Sequence, residues 1–225
     1  MLQIKNLTLT HKKDLREILS DFSCVFNNGD KAVIIGEEGN GKSTLLKWLY
    51  DPLMVEEYCE AEGERLISGE VLGYLAQELP KEDQQKSVYE FFSEQESFWN
   101  QTPKELNQTA AKFHIAPDFF YREQQMSTLS GGEKVKAQLM RILFAEPTVL
   151  LLDEPSNDID IETLETLEEL ILSWDKIVIY ISHDETLIER TANKIIHIEQ
   201  IRRKTKSRFC IANTSYTEYL KNRSS

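Results

Sequence analysis

The sequence predicts an α/β fold with a mainly parallel sheet core, N-terminal antiparallel strands and a helical insertion. Three observations carry this. Unbroken apolar runs at residues 149–152 and 177–181 have the form of parallel strands buried on both faces. Helical patterns alternate with these runs, as they do around a sheet covered on both sides. A stretch from 78 to 129, rich in helix-start signals and net acidic, interrupts that alternation.

The elements follow in order. Residues 4–10 alternate apolar and polar, and 22–26 form a second apolar stretch ending in the turn Asn27-Asn28-Gly29-Asp30. Residues 32–35 are a buried-strand pattern that runs into a glycine-rich loop. Residues 42–50 put Leu45, Leu46 and Leu49 on one helical face, and Pro52 ends that helix. Residues 71–75 are a short strand. Within 78–129, Ser87 with Glu90 forms a capping-box pattern, and Thr102-Pro103 with Glu105 forms a second. This section reads as helical and polar. A helix from Gly132 to Phe144 follows, then strand 149–153, an amphipathic helix over 161–172, strand 177–182, a short helix over 186–191 and strand 194–198.

The 225 residues are 40% hydrophobic, enough for a core without disulfides. No apolar run approaches the ~18 residues of a membrane span, and the N-terminus lacks a secretory apolar region. The chain is therefore expected to be cytoplasmic, with no membrane insertion by itself. Cys24, Cys59 and Cys210 are far apart and form no CxxC, so they read as small buried or idle thiols rather than zinc ligands. The net charge is −12, unevenly spread. From position 194 onward eight Lys/Arg face two Glu, a net of +6, which leaves −18 on residues 1–193. The run Arg202, Arg203, Lys204, Lys206, Arg208 fits phosphates of RNA, a membrane surface, or a solvated hairpin tip.

The chemistry lies in the loops after the buried strands. Gly36-Glu37-Glu38-Gly39-Asn40-Gly41-Lys42-Ser43 fits GxxxxGK[ST] between a strand and a helix, the P-loop pattern. Glycines let backbone N–H groups approach phosphates, and the following helix aims its positive end at the same anion. Lys42 would supply charge to the β- and γ-phosphates, and Ser43, followed by Thr44, a hydroxyl for Mg²⁺. Asp153-Glu154 ends a buried strand at the carboxyl edge of the sheet, where such folds bind ligands. Asp153 suits a Mg²⁺ contact, and Glu154 suits polarisation of an attacking water. Leu129-Ser130-Gly131-Gly132-Glu133-Lys134 makes a second anion-binding helix start, with Ser130 as N-cap and two glycines leaving the end uncovered.

LSGGEK resembles the signature of ATP-binding-cassette ATPases, and the other motifs follow in that family's order over residues 1–200. The resemblance implies a P-loop NTPase of ABC type. It implies an ATP-binding core at 1–77 and 130–225, with 78–129 as a helical subdomain inserted in the single domain. It makes Gln77 the Q-loop glutamine, which contacts Mg²⁺ and the water. Asn157-Asp158-Ile159-Asp160 becomes the D-loop and His183 the switch histidine that contacts the γ-phosphate. In the family two cassettes pack head to tail, so Ser130, Gly131 and Gly132 would cap ATP bound at another cassette's Lys42. The partner is then a second cassette, in the same chain of a longer protein or in a homodimer.

Four positions depart from the family pattern. The adenine-stacking aromatic falls near His11, which stacks less well than tyrosine. Glu37 and Glu38 place acids in the phosphate loop, and Lys136 stands where relatives often have arginine. The run from Asp153 to Glu162 resembles the DEPTNHLDIE of the ABC-F branch, with Asp158 in place of its histidine. That branch consists of soluble ATPases, several of which act on the ribosome. It implies a ribosome or rRNA partner, or a role in antibiotic resistance. The alternatives are the ATP-binding subunit of a membrane transporter, paired with a transmembrane subunit, and a regulatory ATP-binding module.

Overall fold

The computed structural model describes residues 1–37, 41–201 and 206–225. Strands β1 (Leu2–His11) and β2 (Glu17–Phe26) pair antiparallel, and β3 (Lys31–Ile35) leads through the glycine-rich loop into helix α1 (Lys42–Tyr50). A 3-10 turn at Pro52–Met54 precedes β4 (Cys59–Leu66), which adds to the other side of β1. Next come β5 (Leu72–Leu75) and four short helices: α2 (Lys81–Gln84), α3 (Val88–Ser93), α4 (Glu96–Trp99) and α5 (Pro103–Lys112). Helix α6 (Gly131–Phe144), β6 (Val149–Asp153), α7 (Ile161–Ser173), β7 (Ile177–Ile181), α8 (Glu185–Thr191) and β8 (Lys194–Ile201) then alternate. The chain closes with β9 (Lys206–Ala212) and α9 (Tyr216–Ser224).

The strands form two sheets, ordered β2-β1-β4 and β5-β6-β7-β3-β8-β9. The larger sheet is parallel except for β9, which pairs antiparallel with β8. Every residue of β6 and β7 is buried, as the unbroken apolar runs predict. Successive side chains point to opposite faces, so one strand feeds two cores. Leu150, Leu152, Val178 and Tyr180 face the core that includes α6, α7, α8 and the short helices. Val149, Leu151, Ile177 and Ile179 face the core built with α1 and the antiparallel sheet.

Parallel register fixes where the motifs emerge. Leu75 lies opposite Leu152, Asp153 opposite Ile181, and Ile34 opposite Ile181. The segments carrying Gln77, Glu154, His183 and the glycine-rich loop therefore all leave at one edge of the sheet.

Several expectations need correction. The section between β5 and α6 is acidic outside but aromatic inside. Phe92 lies with its ring centroid within 6.4 Å of those of Phe91, Phe98, Phe119, Phe120 and Phe144. Helices of one or two turns are marginal alone, and large rings let them bury enough area to hold. The Arg141 guanidinium of α6 sits 3.7 Å from the Phe91 ring centroid and 3.2 Å from Glu94, fastening α6 to α3. The capping box at Thr102/Glu105 forms in full. At α3 the cap is the Ser87 hydroxyl alone, accepting from Glu90 N at 3.0 Å. Strand β5 starts one residue late and β8 runs three residues further than its apolar pattern. Strand β4 had no apolar signal, because Glu60, Glu62 and Glu64 make it a polar sheet edge.

Candidate functional site

At that sheet edge lies a cavity of about 360 Å³. Lys42, Ser43 and Thr44 of α1 line it, and so do Gln77, Glu154 and His183. These residues come from four separate loops brought together by parallel pairing. Helix α1 begins at Lys42, with Gly41 as N-cap at φ 77°. A Cβ on Gly41 would lie 1.8 Å from Ile18 Cγ2, so the position needs glycine for both backbone and space. Gly41→Ala is expected to cost about 2–5 kcal/mol of stability, the sum of a left-handed alanine and an overpacked contact. Urea unfolding measures it.

The Lys42 ammonium folds back over the loop and donates to Gly36 O at 2.5 Å and Glu37 O at 2.9 Å. The charge is thus held across the loop rather than swinging in solvent. The Glu37 side chain is exposed, so that acid does not sit under the ammonium. Glu38, Gly39 and Asn40 lie outside the described residues, as do Arg202, Arg203 and Lys204 of the basic run, whose Arg208 pairs with Glu199.

Asp153 is 1% exposed, and both its oxygens are sealed from water without a completed hydrogen bond. Burial pushes its pKa up, and Ser43, Lys47 and Lys42 offset this in part. The Ser43 hydroxyl is close enough to favour the carboxylate without closing a bond to it. An orphaned buried carboxylate beside a hydroxyl, at the mouth of a phosphate loop, fits a hard dication that prefers oxygen ligands. No cluster of three or more His, Cys, Asp or Glu able to hold a metal occurs among the described residues.

Glu154 follows Asp153 in the left-handed region, φ 50°, and its N–H donates to Ile181 O at 2.9 Å. This turn re-aims the side chain from the sheet into the cavity. There its Oε1 lies 2.9 Å from His183 Nε2. His183 therefore rests on Glu154 itself. Behind them, Ser156 Oγ and Ser182 Oγ are 2.9 Å apart, linking the two loops.

Ser130, Gly131 and Gly132 are not among the residues lining the cavity. The Ser130 hydroxyl accepts from Glu133 N at 3.1 Å, and Glu133 Oε1 accepts from Ser130 N at 3.2 Å, a full capping box. Gly131 is exposed, as the sequence suggested, whereas Gly132 is buried. A Cβ on Gly131 would meet Asp158 O at 2.3 Å, and one on Gly132 would meet Thr163 Oγ1 at 2.5 Å and Asp160 Oδ1 at 2.6 Å. Residues 158–163 lie directly against the helix start. Asp160 is bound by the Thr163 hydroxyl, which lowers its pKa, and Lys136 Nζ donates to Glu162 Oε1 at 3.0 Å.

His11 reaches the cavity from the end of β1. Sequence reasoning missed Tyr58, Arg16 and Ile18, which also line it. Tyr58 precedes β4 in an irregular segment without a motif. The pairing of His11 with Cys59 brings it to the site.

The ABC transporter family model matches residues 19–157. The ATP-binding protein Uup of Escherichia coli (strain K12) is 34% identical over 187 residues, 80% of this chain and 28% of its own length. Uup of Buchnera aphidicola from Acyrthosiphon pisum is 32% identical over 186 residues, covering 81% and 30%. The chain thus spans less than a third of these relatives. A nucleotide-free ATP-binding cassette from an ABC transporter shares the fold at TM-score 0.74 and 17% identity, covering 99% of this chain and 94% of that one. A dimeric cassette in a post-hydrolysis state with ADP and Pi does so at TM-score 0.67 and 21% identity, covering 92% and 99%. With its motifs placed as above, the chain belongs to the ATP-binding-cassette family, whose ligand is ATP, and it resembles the family's ABC-F branch.

Proposed function

We propose that this chain binds Mg-ATP at the Lys42 loop and hydrolyses it to ADP and phosphate when a second cassette closes over the triphosphate. One observation carries the reading. The cavity gathers Lys42, Ser43, Gln77, Glu154 and His183, while the other phosphate-type helix end, Ser130 to Gly132, stands outside it. A chain built this way holds two half-sites, and a head-to-tail pair would complete both.

The chain's own groups divide the work. Lys42 and the α1 amides hold the β- and γ-phosphates. Ser43, Asp153 and Gln77 would hold Mg²⁺, which neutralises charge on the phosphate oxygens. Glu154 orients the attacking water and takes its proton, and His183 keeps that carboxylate aimed. Ser130 and Gly132 of the second cassette close the site from above. Such catalysis is positioning and electrostatics rather than covalent chemistry. Residues 78–129 act as a helical insertion within the one domain.

Lys42→Ala tests the loop. It removes a charge-assisted contact worth about 1.5–3 kcal/mol, so the Kd for ATP is expected to rise roughly 10- to 100-fold. Calorimetric titration reads this, and an unchanged Kd rejects the assignment.

Its similarity to Uup favours an ABC-F type protein of the cytoplasm, acting on the ribosome or in antibiotic resistance. Co-sedimentation with ribosomes in ATP is the expected outcome. Co-purification with an integral membrane protein instead would make it a transporter subunit.

A further inference from the structure

We propose that Tyr58 provides the main surface on which the purine of the nucleotide stacks, with His11 as the lesser wall; this rests on the Lys42 loop being a nucleotide site. The expected stacking position is filled by an imidazole, a smaller π face than a phenol ring. The fold brings a larger one beside it. Cys59 pairs with His11 across β4 and β1, and Lys12 N donates to Tyr58 O at 3.0 Å. Tyr58 is therefore carried to the end of β1, and both rings line the cavity that holds Lys42 and Ser43.

The ring geometry selects between them. Their centroids are 6.1 Å apart and their planes 48° apart. A base sandwiched between two rings needs them parallel and about 7 Å apart, two van der Waals contacts. Here the rings make an angled corner, so one face does the stacking. His11 is held to its own loop: Nδ1 accepts from Lys13 N at 3.3 Å and lies 3.5 Å from Asp14 Oδ1. Tyr58 is tied instead toward the phosphate end, with its hydroxyl 3.4 Å from Thr44 Oγ1 in the first turn of α1. That contact fixes the ring relative to the residues that grip the phosphates. Its half-buried face then stands at a set place beside the nucleotide.

The test titrates the full chain with Mg-ATP and, separately, with inorganic tripolyphosphate, which has no base. Tyr58→Leu keeps apolar bulk and removes the π face. It is expected to weaken ATP roughly tenfold, within the range of one base–aromatic stack, and to leave tripolyphosphate unchanged. Tyr58→Phe should stay within about twofold for both, and His11→Ala should lose less than Tyr58→Leu. Equal ATP affinity in Tyr58→Leu and wild type overturns the proposal. So does a parallel loss of tripolyphosphate, or a larger loss in His11→Ala. A wild-type chain that binds neither probe rejects the nucleotide site itself, which is a separate result.

Discussion

Glu154→Gln is expected to bind ATP with wild-type affinity and to hydrolyse it at about a hundredth of the wild-type rate or less. The amide has the carboxylate's shape, so the cavity and the turn at φ 50° persist. It cannot take a proton from water, and a positioned general base contributes on the order of 10² to 10⁴ in rate. Because the nucleotide is not consumed, pairs closed around ATP should accumulate. Size-exclusion chromatography with and without ATP would show the shift, and a single-turnover assay gives the rate. Turnover above a tenth of wild type would remove Glu154 from its role.

Ser130→Arg should leave ATP binding by the single chain unchanged and reduce turnover about 100-fold, the scale of losing one positioned transition-state donor. The residue is exposed and remote from the cavity, and the lost cap costs about 1 kcal/mol, too little to unfold a domain. The decisive experiment mixes two inactive chains. A Ser130→Arg chain keeps Lys42, and a Lys42→Ala chain keeps Ser130. A head-to-tail pair of the two contains one intact site, so activity should return on mixing. If it never does, the closure of one chain's site by another is wrong. Dilution of the wild type should slow turnover for the same reason.

The parts legible in the sequence share one property: their signal is local. Strands β6 and β7 are buried on both faces, so the sheet shows as unbroken apolar runs. The phosphate loop, the acid pair and the signature are contiguous motifs. Gln77 and His183 gained meaning only from their order in the family pattern, and the parallel register then brought them to one edge. What stayed hidden depends on contacts between distant segments. Tyr58 is carried by the antiparallel pairing of β4, a strand whose acids mask it. The aromatic core beneath α3 and α4 is spread over helices too short to show a period. The signature reads as an open helix end, which holds for exposed Gly131, but nothing in that hexapeptide announces that Asp158, Asp160 and Thr163 pack beside its glycines.

That last contact has a consequence. Asp158, itself at φ 56°, sets its carbonyl against Gly131, and it stands four residues after Glu154 on the same loop. In the proposed pair, the helix start that one chain would offer to the other is therefore in contact with the loop that carries that chain's own Glu154. When two such cassettes meet, spent nucleotide on one side need not be sensed through the ligand of the other. In the proposed head-to-tail pair, a movement of the 154–158 loop would bear directly on the helix start that faces the other cassette.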